Sequence, residues 1–479
     1  MEAVRGLLAH VLQRSTSPAL VLPDGTALSW RDLDDASRRY AANATMRGAA
    51  PGDRVALVAT DRLAGVIALL GHHRAGLVHV PVNPGYQHEE LQHIFDDSDA
   101  KLRLFDDDVR ELCAEGPELH RDSLPDDRDL ALLIYTSGTT GRSKGCMLSF
   151  ANVYAAVSSL STLWGLGASD TLVHALPLFH VHGLCVALHA ALLQGATTRL
   201  LERFSAQGVV DAIAQGGTVF MGVPTMYRRL IEHLTHHKDA AAVLSKARLF
   251  CSGSAALPAD DLLEFERLTG HRVVERYGMS ETLITLSNPL VGHRKEGSVG
   301  VPIPGVSARV IDHELQVKGP GVMQGYWRNE SATAAAFDGE WLRTGDLVEQ
   351  DDDGYFRLIG RLSTDILKVG GYKISTREIE DQLARFHGLV EVAVVGIPDR
   401  EWGQKVVACV VVEPGLRECP TLLQELREHV RLHESKRPRA LLLLEALPRN
   451  AMGKVQKVVL AERAKQAQLG ASTPWCELP

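Results

Sequence analysis

Apolar and polar positions along this chain follow two rhythms in turn. Short apolar runs at 55–59, 78–82, 130–135 and 171–176 read as buried strands, and stretches of helical periodicity at 64–75 and 151–163 fall between them. That succession is the sequence form of βαβ units, and it predicts an α/β fold with a largely parallel sheet over the first three quarters of the chain. Residues 1–17 predict a first helix, because a strand-like stretch follows at 19–23. From 297 to 358 the texture changes to short strands punctuated by Gly and Pro. After Arg361 it changes again, to a strand at 366–369, a helix at 377–386, strands at 390–396 and 405–412, a helix at 421–432 and a strand at 441–444. The expected architecture is a large N-terminal domain of stacked α/β sheets, 1–361, with a small β-rich subdomain at about 297–358. A small α+β C-terminal domain, 362–479, follows it.

Composition narrows the function without naming it. A chain of 479 residues suggests two to four structural units, and 45% apolar with 23% charged residues is ordinary for a globular protein. A net charge of −8 argues against a nucleic-acid partner, which calls for a basic face. The apolar runs fall well short of the roughly 18 residues of a membrane span. Seven cysteines, an odd number without C-x-x-C spacing, fit reduced thiols. The N-terminus carries Arg5 and Arg14 against Glu2 and lacks a signal-peptide cleavage site. A cytoplasmic location is expected, with the mitochondrial matrix open for a eukaryotic source. Monomer and homodimer both stay open.

The candidate chemistry starts where the strand at 130–135 runs into Thr136, Ser137, Gly138, Thr139, Thr140, Gly141, Arg142, Ser143, Lys144 and Gly145. Two glycines permit tight turns, hydroxyls and amides can donate to phosphate oxygens, and Lys144 supplies charge. This is a polyphosphate loop. It is not the G-x-x-x-x-G-K-[ST] loop, because its first glycine lies six residues before the lysine. The string YTSGTTGRSKG resembles the signature of the adenylate-forming superfamily, which includes acyl-CoA synthetases, luciferases and the adenylation domains of peptide synthetases. LPLFHVHG at 176–183, CSGSA at 251–255, ERYGMSET at 275–282, WLRTGD at 341–346, GRLSTDILKVGGYKIS at 360–375 and PRNAMGKV at 448–455 follow in the order of that superfamily.

The resemblance implies a role for each motif. Tyr277 is implied to stack on adenine, with Gly253, Ser254, Ala255, Glu275, Arg276, Gly278, Met279 and Ser280 lining the nucleotide site. Glu281 is implied as the Mg2+ ligand together with Thr139, and Thr136 to Thr140 with Lys144 as the phosphate cradle. Asp346 is implied to hold the ribose hydroxyls and Arg361 to touch the nucleotide at a hinge within 362–365. Lys454 would stabilise charge as a carboxylate attacks the α-phosphate. The C-terminal domain would then turn to bring Gly370, Gly371 and Tyr372 to coenzyme A. ATP, coenzyme A and a small carboxylate are the implied partners, with no nucleic acid and no membrane.

Among subfamilies the chain is most similar to malonyl-CoA synthetases, through FHVHG at 179–183, MGVPTMYRRL at 221–230 and RYGMSETLITLSNP at 276–289. That implies an acyl pocket of His182, Met221, Gly222, Val223, Met279, Ser280 and Arg294, with His182 also among the catalytic residues. A diacid needs a cation at its far end, and Arg294 stands where the subfamily carries one. A solvated Arg294 would instead accompany a short- or medium-chain monocarboxylate ligase. A carrier-loading enzyme and a non-catalytic nucleotide-binding relative are further readings. The last is prompted by 306–318, where about a dozen residues of the usual connection are missing and Asp312-His313 closes a turn without glycine.

Overall fold

The computed structural model describes residues 2–114, 124–136, 143–362, 365–369, 372–400, 402–413, 419–450, 453–470 and 475–477. Its packing separates two compact units. The first comprises Met1–Arg309, Gln316–Arg343 and Asp351–Phe356, and the second comprises Val310–Leu315, Thr344–Gln350 and Arg357–Pro479.

Two sheets organise the first unit. One has nine strands in the order Val301–Pro302, Leu286–Ser287, Val274–Tyr277, Leu249–Ser252, Val219–Gly222, Thr171–His174, Thr197–Leu200, Pro18–Val21 and Ala27–Ser29. From Val274–Tyr277 to Pro18–Val21 neighbouring strands are parallel, as the alternating pattern predicts. Helices such as Ala206–Ala214, Pro224–His236 and Ala259–Thr269 bury Ile213, Leu230, Leu234 and Phe265 against Phe220 and Phe250. The other sheet runs Gly325–Tyr326, Lys144–Ser149, Leu130–Thr136, Val78–Val82, Arg54–Val58, Leu102–Phe105. Its last four strands are parallel, but Lys144–Ser149 turns back antiparallel on Leu130–Thr136, with Thr136 facing Lys144. The two residues that bound the expected polyphosphate segment therefore stand opposite each other at one end of an antiparallel strand pair.

The second unit holds the hairpin Ile366–Val369 and Tyr372–Ser375 and a four-stranded sheet, Leu389–Asp399, Gly403–Val412, Ala440–Leu443 and Trp475–Glu477. One face of that sheet packs Val394, Val406 and Val410 on Ile379, Leu383, Leu422 and Leu426. The other packs Val395, Val407 and Leu442 on Leu460 and Ala464 of the helix Lys457–Gln468. Cys476 on the last strand is disulfide-bonded, which corrects the expectation that all seven thiols are reduced.

The shortened connection folds as a tight hairpin between Ser307–Ile311 and Glu314–Lys318. Asp312 (φ 49°) and His313 (φ 67°) both adopt the left-handed conformation that a two-residue turn of this hand demands. The loss of length is absorbed by backbone strain at two non-glycine residues.

Candidate active site

The motif segments at 221–223, 253–255 and 275–280 stand at the carboxyl ends of three adjacent parallel strands, where open α/β sheets carry their ligand sites. Val219–Gly222 delivers Met221, Gly222 and Val223. Leu249–Ser252 delivers Gly253, Ser254 and Ala255, and Val274–Tyr277 delivers Glu275, Arg276, Tyr277 and then Gly278, Met279 and Ser280. Parallel register sets Met221 beside Cys251 and Ser252 beside Glu275. Ser254 (φ 69°) and Leu283 (φ 58°) hold left-handed backbone here, strain of the kind that collects at functional sites. Gly278 is required because a Cβ would lie 2.2 Å from the carbonyl oxygen of Leu283. Tyr277 is buried, with its hydroxyl 3.8 Å from Met279 Sδ.

His182 enters from another element. It begins a π-helical segment, His182–His189, and its Nδ1 lies 3.2 Å from Ser254 Oγ. The segment is held by two buried histidines. His174 Nε2 donates to the carbonyl of Gly183 (2.9 Å), and its Nδ1 accepts from Arg62. His189 Nδ1 donates to the carbonyl of Leu184 (2.8 Å).

Arg276, expected to line the nucleotide, is buried on the strand Val274–Tyr277. It is 4% exposed, its Nε and Nη2 have no hydrogen-bond partner, and burial pulls its pKa down. A Cβ on Gly253 would lie 2.4 Å from the Arg276 Cζ, so glycine at 253 makes room for the guanidinium.

Arg294, the expected anchor for a diacid, is bonded to backbone carbonyls. Its Nε donates to the carbonyl of Pro289 (2.9 Å), and its two terminal nitrogens donate to the carbonyls of Leu290 and Arg272. With Arg248, Phe250, His271 and Arg272 it lines a cavity of about 320 Å³. Arg248 and Arg272 stand one and two residues before the strands that carry Ser252 and Arg276, so this cavity lies at the amino ends of those strands. These bonds tie Arg294 to the loop 289–294 and to the carbonyl of Arg272.

Two charged residues of the phosphate and metal set come together. Lys144 Nζ lies 4.8 Å from the ring centroid of Tyr326, whose hydroxyl donates to Glu281 Oε1 (2.9 Å). The buried Cys146 thiol is pushed up first by burial and then by the neighbouring Glu281 carboxylate. Neither Tyr326 nor Cys146 was singled out from sequence, since both lie far along the chain from Glu281. No group of three or more His, Cys, Asp or Glu among the described residues can hold a metal. Glu281 as one hard oxygen ligand suits a Mg2+ ion that arrives on nucleotide phosphates, which needs only one or two carboxylates. Ser137, Gly138, Thr139, Thr140, Gly370 and Gly371 lie outside the described residues.

In the second unit, Arg361 Nε pairs with Asp346 Oδ1 at 3.2 Å, which joins the expected ribose and hinge residues. Lys454 sits exposed on a turn closed by Asn450 N to Lys454 O (2.9 Å) and pinned by Arg449, which pairs with Glu391 at 2.6 Å. Tyr372 is exposed beside His433. Among the described residues no helix is long and apolar enough to cross a membrane.

The pattern of residues 8–327 matches the AMP-binding enzyme family, and 378–454 matches the C-terminal domain of the same enzymes. The chain belongs to the AMP-binding enzyme family. Malonate–CoA ligase of Arabidopsis thaliana is 36% identical over 86% of this chain and 78% of its own length. The mitochondrial malonate–CoA ligase of Bos taurus is 35% identical over 89% of this chain and 84% of its own. The crystal structure of ATP-bound MatB from Rhodopseudomonas palustris superposes with a TM-score of 0.89 at 34% identity, covering 96% of this chain and 99% of that one. The family carries the large N-terminal and small C-terminal domains expected from the sequence.

Proposed function

We propose that this AMP-binding enzyme is an ATP-dependent acid–thiol ligase that converts malonate, ATP and coenzyme A to malonyl-CoA, AMP and pyrophosphate. In the first half-reaction a malonate carboxylate oxygen attacks the α-phosphorus and pyrophosphate leaves. In the second, the coenzyme A sulfur attacks the acyl carbonyl and AMP leaves with the bonding pair. Lys144 meets the phosphates, Tyr277 stacks on adenine, and Asp346 with Arg361 orients the ribose. Lys454, brought up by the C-terminal domain, stabilises charge on the attacked phosphate. Mg2+ held by Glu281 would neutralise the leaving pyrophosphate. The C-terminal domain then turns about 362–365, so that the segment around Tyr372 meets the thiol.

The observation that carries the substrate is the buried Arg276 with unpartnered Nε and Nη2, which suits the second carboxylate of a short diacid. The malonate–CoA ligases among the relatives support the same reading. Release of AMP that depends on coenzyme A, measured with malonate, succinate, butyrate and octanoate, tests it. Malonate is expected to lead, and a faster octanoate reaction would refute the diacid assignment.

A further inference from the structure

Tyr326 is held as firmly as any residue of the site, although the reaction above gives it no task. It lies on the two-residue strand Gly325–Tyr326, paired antiparallel with the strand that starts at Lys144, so that Tyr326 faces Cys146. Its amide donates to Thr333 Oγ1 (2.9 Å), and the amide of Trp327 donates to the carbonyl of Gly145 (2.8 Å). Gly325 is bound to its place too, with φ 143° and room for a Cβ only 2.8 Å from Thr333 Cγ2. The backbone is pinned on both sides, and the ring has one direction to take.

In that direction it meets two charges at once. The ring face carries the Lys144 ammonium 4.8 Å from its centroid, and the hydroxyl end donates to Glu281 Oε1 at 2.9 Å. A carboxylate oxygen accepts, so the hydroxyl proton of Tyr326 fixes the rotation of Glu281. The cation lies against the negative ring face and loses freedom before any phosphate arrives.

We propose that Tyr326 is a positioning residue of the nucleotide site, which presets the phosphate-binding ammonium of Lys144 with its ring and the metal-binding oxygen of Glu281 with its hydroxyl. The proposal rests on the reading of Lys144 and Glu281 as phosphate and metal groups. Removing an outer-shell partner of a metal-bound carboxylate typically weakens the metal about 10- to 100-fold. A lost cation–π contact is expected to cost a few-fold in phosphate affinity.

The test is the affinity for Mn2+, read from the paramagnetic resonance of the free ion with a non-hydrolysable ATP analogue present. Calorimetry of the analogue in chelator gives the metal-free affinity. Tyr326→Phe, which keeps the ring, is expected to weaken Mn2+ binding roughly 10-fold and to change metal-free affinity less than about 2-fold. Tyr326→Leu is expected to lose in addition roughly 3- to 10-fold in metal-free affinity. Unchanged Mn2+ affinity in Tyr326→Phe, beside a clear loss in Glu281→Gln, would overturn the role of Tyr326 and leave the site reading intact. Unchanged affinity in Glu281→Gln would overturn the metal reading itself and the proposal with it.

Discussion

Two arginines compete for the far carboxylate of the substrate, and their environments predict opposite consequences for their removal. Arg276 is buried with Nε and Nη2 unpartnered, and Arg294 gives all three of its nitrogens to backbone carbonyls. Consider Arg276→Leu. If its guanidinium pairs with malonate, truncation removes a buried charge-assisted interaction, which typically costs about 2–5 kcal/mol, or about 30- to 5000-fold in kcat/KM for malonate. Butyrate lacks the second carboxylate, so its kcat/KM is expected to hold or rise. Stability should move the other way from activity. An uncompensated buried cation is a burden to the empty protein, so Arg276→Leu is expected to unfold at the same urea concentration as wild type or higher. Arg294→Leu is the mirror image: the three carbonyls lose a charged donor, at about 1.5–3 kcal/mol for hydrogen bonds to a charged group. The urea midpoint should fall while the ratio of malonate to butyrate activity stays put. The assay is steady-state AMP release with each acid, alongside urea unfolding followed by fluorescence. Equal losses for malonate and butyrate in Arg276→Leu, or a specificity change in Arg294→Leu, would refute the assignment.

The shortened hairpin gives a prediction about stability alone. His313 at φ 67° bears a left-handed cost of about 1–2 kcal/mol that glycine escapes, partly offset by glycine's greater unfolded freedom. His313→Gly is expected to stabilise by about 0.5–1 kcal/mol in urea titration, and a destabilised variant would mean that the His313 side chain contributes contacts that outweigh its backbone strain. Acid sensitivity follows from the buried histidines. Burial pulls His72 and His174 to about 3 and His189 to about 4, against an ordinary value near 6.5. Their folded pKa values are depressed, so the unfolded chain takes protons that the folded one refuses. Stability is complete above about pH 6.5 and is lost as the pH falls toward the folded values. At pH 5.5, one unit below the unfolded value, each histidine costs roughly 1.4 kcal/mol, roughly 4 kcal/mol for the three together. A urea midpoint that is the same at pH 7.5 and 5.5 would show that these rings are not neutral and buried in solution.

The parallel strands and their helices were legible because their runs are apolar along the whole length, as strands covered on both faces must be. The helix at 151–163 and the strand at 78–82 emerge as Phe150–Trp164 and Val78–Val82. The strand Lys144–Ser149 was not legible, because it begins inside the polar loop and its pairing with Leu130–Thr136 is a matter of topology. The π-helical winding of His182–His189 leaves no trace in composition either. In the site, motif spacing indicated which residues cluster. It could not give Arg294 its direction, which is decided by carbonyls at 289, 290 and 272. Nor could it find Tyr326, whose partners stand 182 and 45 residues away along the chain and meet it only through sheet register.

The π-helical segment has a consequence for how the chain tolerates change. A π turn is an ordinary helix carrying one residue too many. Deleting any one residue between Leu184 and Leu188 would relieve it into regular winding, and each residue of an α-helix turns the side chains by about 100°. With His189 held to Leu184 at one end, the rotation would fall on His182 and swing it away from Ser254. A single-residue deletion in this stretch is expected to reshape the site around Ser254. The surplus residue acts as a setting for the direction of one imidazole, stored in the length of the segment.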